Sequence, residues 1–176
     1  MSTRKIVISG VLAAIAILLG VTRLGFIPVP TAAGNATIMH VPAIIGGIME
    51  GWVVGGIIGT IFGIFSFLQA TVPLFKDPLV AIFPRIFIGI TAYFTYVALK
   101  KVNEYLALIV AAAVGTLTNT ILVLGMAVLR NYMPLPAALT VVVVNGIPEI
   151  IVAAIVTVAV VAAWKRIETG SGKSKV

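Results

Sequence analysis

Residues 6–21, 106–129 and 135–144 contain no charged side chain. An α-helix crossing the roughly 30 Å hydrocarbon core of a bilayer needs about 20 predominantly apolar residues. Runs of this kind, repeated along one chain, mark membrane spans. Of the 176 residues, 61% are hydrophobic and only 10% are charged, and mean hydropathy is +1.21. A soluble helical bundle would have to cover its surface with seventeen Lys, Arg, Asp and Glu residues, far too few. The sequence therefore predicts an all-α integral membrane protein.

Arg4 and Lys5 precede the first apolar run, as in a signal peptide. The run leads into more membrane-like sequence rather than a polar mature domain, so it is read as a retained helix. Six spans are expected, at about 6–24, 37–49, 53–69, 79–99, 105–129 and 137–164. They form a single membrane domain over 1–168, and the small, polar, basic tail 169–176 is expected to be disordered. The second and third spans are short and meet at the tight turn Glu50-Gly51. With the N-terminus in the cytoplasm, the inner segments hold Arg4, Lys5, Lys100, Lys101, Lys165, Arg166, Lys173 and Lys175. The outer segments hold Arg23, Lys76 and Arg130, with Arg85 inside a span. This bias places both termini in the cytoplasm, and Trp164 beside Lys165 fits an interfacial anchor. The net charge of +7 arises from the same bias and needs no nucleic acid. The chain has no cysteine and one histidine. Disulfides, thiol catalysis and cysteine-ligated clusters are excluded, and neither a metal site nor a cofactor is expected.

Small residues recur at intervals of four. Gly55, Gly59 and Gly63 put a smooth stripe on the third span, and Gly10 with Ala14 does so on the first. Such stripes let helix backbones touch in lipid. They serve either packing within the bundle or contact with a partner membrane protein.

Polar groups inside the spans gather in four places. Asn35, Thr37 and His40 lie at the outer end of the second span. Arg85 comes directly after Pro84, about two turns or ~9 Å into the fourth. An arginine at such depth faces a partner or a wet cavity; either Glu149 or an anionic ligand would serve. Asn119 sits in the threonine-rich run Thr116-Leu117-Thr118-Asn119-Thr120 of the fifth. Asn145 and Glu149 lie about 12 and 18 Å into the sixth, four residues apart and so on one face. Gly146 and Pro148 between them are expected to kink that helix and form a cavity floor. His40 is either a cavity wall or an interhelical tie, and Asn145 either a ligand contact or a tie between helices. Together the groups describe a site for a small, polar, anionic molecule under proline-rich outer loops. No nucleotide-binding loop and no nucleophile–base pair is present. The chain is not read as an enzyme, and active transport would draw on an ion gradient or on partner subunits.

The segment GNATIMHVPAIIGGIMEGWVVGGIIGTIFGIFSF, with PRIFIGI, GTLTNTILVLG and NGIPEIIVAA further along, resembles the S-components of energy-coupling factor (ECF) vitamin transporters. The resemblance runs from Lys5 to Trp164. It implies a six-helix subunit of a prokaryotic cytoplasmic membrane. That subunit binds a vitamin from outside and works with a transmembrane coupling protein and two cytoplasmic ATPases. It also implies that the first span meets the coupling protein through a small-x-x-x-small motif, here Gly10-x-x-x-Ala14. The Asn-Ala-Thr-x-Met-His-x-Pro segment is most like the branch assigned to pantothenate, with cobalamin and riboflavin as alternatives. The rival function is a stand-alone carrier that uses Glu149 as a proton acceptor.

Overall fold

A computed structural model describes residues 2–28 and 35–171, with side chains through Ile167. The elements are α1 (Thr3–Val21), β1 (Phe26–Ile27), β2 (Ala36–Thr37), α2 (Val41–Glu50), α3 (Trp52–Leu68), a 3-10 turn (Pro73–Lys76), α4 (Pro78–Ala81), α5 (Phe83–Leu99), α6 (Glu104–Leu129) and α7 (Leu135–Ser171). Four stretches are long and apolar enough to cross a membrane: Thr3–Val21, Pro78–Leu99, Glu104–Leu129 and Leu135–Ile167. The helices α2 and α3 are apolar but shorter.

The short helix α2 sits at the centre, with every residue but Met49 buried. Around it pack α1, α3, α5, α6 and α7. The outward faces of the surrounding helices are apolar, as with Ile6, Val11 and Leu18 on α1 and Ile147, Ile151 and Ile155 on α7. In water such faces would be unstable; in lipid they are the natural exterior.

The glycine stripe of α3 lies inside the bundle. A Cβ on Gly55 would come 2.8 Å from the Cα atoms of both Gly47 and Gly89, one on Gly63 would come 2.8 Å from Ile82 Cα, and one on Gly59 would strike the Arg85 carbonyl. These contacts bring the backbones of α2, α3 and α5 together, so Gly55, Gly59 and Gly63 offer no surface to a partner. Gly10 and Ala14 are exposed, and among the described residues nothing beyond its own stretch of α1 lies within 4 Å of a Cβ at Gly10.

Three boundaries differ from expectation. Residues Ala36 and Thr37 are not the start of a helix; they pair antiparallel with Ile27 and Phe26. Helix α2 begins only at Val41, with Pro42 in its first turn, where a missing N–H costs nothing. The fourth span is interrupted at Ile82, because Pro84 has no N–H to give the Val80 carbonyl. The sixth is not interrupted: α7 is helical throughout with Pro148 inside it. It continues to Ser171 and takes in the first residues of the expected tail; residues 172–176 lie outside those described.

Ion pairs fasten both ends. Asp77 caps α4 through Leu79 N at 2.9 Å and receives Arg130 Nε at 2.7 Å, linking α4 to the far end of α6. At the end where α1 and α6 start, Arg4 pairs with Glu50 at 2.9 Å, and Lys165 pairs with Glu104. Tyr96 Oη donates to Glu104 Oε1 at 3.2 Å.

Candidate functional site

A cavity of about 490 Å³ lies at the end of the bundle where α1 finishes and α5 starts. Its walls come from the end of α1, the β1–β2 pair, the end of α3 with the loop after it, the start of α5, and the facing halves of α6 and α7. Of the seven residues expected to bind substrate, Asn35, Thr37, Arg85, Asn119, Asn145 and Glu149 line it. His40 does not. It is fully buried beside the cavity, and its Nε2 shares a 2.9 Å hydrogen bond with Thr116 Oγ1. It joins the segment before α2 to α6 as an interhelical tie.

Arg85 owes its position to the break before it. In an unbroken helix the Val80 carbonyl would accept from residue 84, but Pro84 has no N–H. The Arg85 amide bonds Ile82 O at 3.1 Å instead of Ala81 O. Both freed carbonyls then accept from Arg85 Nη1, that of Val80 at 3.0 Å. The guanidinium lies between two rings, with Cζ 5.1 Å from the Phe62 centroid and 5.0 Å from that of Phe75. Cations favour the faces of aromatic rings. Nε has no partner, and no ion pair joins Arg85 to Glu149 among the described residues. The close approach at Gly59 and Gly63 brings this part of α5 against α3 and hence against Phe62.

Glu149 is engaged elsewhere. Its Oε1 accepts from the Thr37 amide at 2.6 Å and its Oε2 from Thr120 Oγ1 at 3.2 Å. It is thus a tie among α7, α6 and the strand before α2, as well as a cavity wall. Asn119 and Asn145 face the cavity from α6 and α7 with their Oδ1 atoms buried and unpartnered. An unsatisfied buried acceptor costs roughly 1–3 kcal/mol. A ligand that brings O–H or N–H donors would recover that cost. The cavity thus offers a cation at one wall and two unsatisfied acceptors at others.

Phe26, Phe65 and Phe75 add aromatic surface, and Gln69 and Arg23 add polar groups at the walls. Sequence reasoning missed these. They sit at helix ends and in loops, where periodicity carries no signal. The proline beside Arg85 was the sign that could have revealed how that side chain is held.

The family model for the substrate-specific component of ECF transporters matches residues 4–161. The chain belongs to this family. It is a membrane-embedded, substrate-binding transport component rather than an enzyme. The pantothenic acid transporter PanT of Lactococcus lactis subsp. cremoris (strain MG1363) is 34% identical over 160 residues, covering 77% of this chain and 80% of that protein.

Proposed function

We propose that this S-component binds pantothenate. The observation that carries the proposal is the cavity's polarity: one buried guanidinium and two unsatisfied carboxamide oxygens in about 490 Å³. Pantothenate has a carboxylate for Arg85, and two hydroxyls and an amide N–H for Asn119 and Asn145. Arg85 offers the planar fork that suits a carboxylate. Cavities of about 300–1,000 Å³ hold small molecules; cobalamin, with its corrin ring and nucleotide tail, exceeds this one. Riboflavin lacks the carboxylate that would answer Arg85. The similarity to a pantothenic acid transporter supports the same choice.

In this proposal residues 1–168 form one membrane domain that crosses six times, with both termini in the cytoplasm and the cavity facing outward. The bias of Lys and Arg supports that orientation. A coupling protein and two ATPases complete the importer. The coupling protein meets the exposed Gly10–Ala14 face of α1, which no other described element covers at Gly10. Reconstitution tests the arrangement. Proteoliposomes holding this chain with an ECF module should accumulate labelled pantothenate only when ATP is present on the module's side. Uptake by this chain alone, driven by a proton gradient, would overturn the proposal in favour of a carrier using Glu149.

A further inference from the structure

We infer that Glu149 is a positioning residue: it clasps strand β2 through Thr37, next to Asn35, against α7, and so sets how fast ligand leaves. The inference rests on the reading of this cavity as the binding site. The Glu149–Thr37 bond joins residues 112 apart in sequence. At 2.6 Å it is a short bond from a backbone amide to a side-chain oxygen. Strand β2 has few other supports. It is two residues long, and a lone two-stranded ribbon is marginal by itself. It pairs with β1 and packs on α7, and locally Met39 N donates to Thr37 Oγ1 at 3.2 Å while Ile38 N donates to Gly25 O at 2.9 Å. The second carboxylate oxygen lies 3.2 Å from Thr120 Oγ1, whose single hydrogen it shares with the Thr116 carbonyl at 3.1 Å. Glu149 is only 4% exposed. Both of its oxygens already accept hydrogen bonds, so its main work is on the protein rather than on the ligand.

Ala36 lies beside the clasp and is fully buried, and the chain has no native cysteine. Ala36→Cys therefore reports strand release without background, when a maleimide is added to the purified, ligand-free protein. In that setting Glu149→Ala should raise the labelling rate at least about tenfold. Glu149→Gln keeps an oxygen that accepts from Thr37, and should stay within about threefold of the parent. Thr37→Pro removes the donor from the other side of the same bond and should match Glu149→Ala, which guards against a folding defect peculiar to one variant. Each variant is first required to elute as a single species on size exclusion. In the chain without the reporter cysteine, Glu149→Ala should speed dissociation of labelled pantothenate by a similar factor while changing association little, and Glu149→Gln should restore slow release.

Unchanged labelling in both Glu149→Ala and Thr37→Pro would overturn the inference, as would Glu149→Gln labelling as fast as Glu149→Ala. Faster dissociation with unchanged ligand-free labelling would also overturn it, and would make Glu149 a direct ligand contact. If the parent protein binds no pantothenate, the substrate assignment fails, but the labelling comparison still decides the clasp.

Discussion

Arg85 does two jobs with one guanidinium. One nitrogen closes the backbone gap left by Pro84, and the charge lies between two phenylalanines facing the cavity. Removing the ligand's charge separates these roles better than removing the side chain. The alcohol analogue of pantothenate, with CH2OH in place of the carboxylate, should bind at least about tenfold more weakly. A hydrogen bond to a charged group contributes about 1.5–3 kcal/mol. Arg85→Ala should abolish measurable binding, and Arg85→Lys should not restore it, because an ammonium lacks the planar fork. Equal affinity for acid and alcohol would remove Arg85 from carboxylate recognition. Asp77 offers a pH-dependent check outside the spans. Its hydrogen bond from Arg130, helped by the Leu79 amide, holds its carboxyl below the ordinary range despite opposing desolvation. A depressed carboxylate stabilises the fold fully above its unfolded value near 3.9, and that stability is lost as pH falls through the folded value. Arg130→Gln should therefore lower the melting temperature at neutral pH, and the two proteins should converge as pH falls below about 4.

Among the helices, α3 and α1 carry similar small-residue patterns with opposite uses. Gly59→Ala would drive a methyl into the Arg85 carbonyl. Overpacking of this kind costs about 1–3 kcal/mol. Gly10→Ala meets no other described element and should stabilise the isolated protein by up to ~1 kcal/mol, the helix-propensity difference. Thermal unfolding in detergent should move in opposite directions for the two. The spacing of the stripes was legible in the sequence, but spacing alone does not say whether a stripe meets its own bundle or another protein. The helices themselves were legible, because long apolar runs in a chain with so few charges have one stable environment. The start of α2 was not, since Ala36 and Thr37 take their structure from Phe26 and Ile27 and from Glu149, all distant in sequence. Pro148 lies inside α7, which is helical on both sides of it, and Asn145 and Glu149 line the same cavity, as their four-residue spacing implies.

At the scale of the whole bundle two features stand apart. Polar groups collect at the cavity beside the end of α1, while an exposed apolar face runs down α1. The paired substitution Gly10→Leu with Ala14→Leu should abolish co-purification with the coupling protein and ATP-dependent uptake, yet leave vitamin binding by the isolated subunit unchanged. Loss of both activities together would show that α1 is needed for the site itself. Six of the polar residues at the cavity could be named from the sequence, four of them, Arg85, Asn119, Asn145 and Glu149, because polarity is expensive in a span. That they meet in one cavity, and that His40 stands behind it, depended on how α2, α6 and α7 pack. Isothermal titration of the purified protein with pantothenate, cobalamin and riboflavin, each under the same conditions, is decisive. We predict saturable one-to-one binding of pantothenate and no heat from the other two. No heat from pantothenate where another vitamin binds would contradict the assignment.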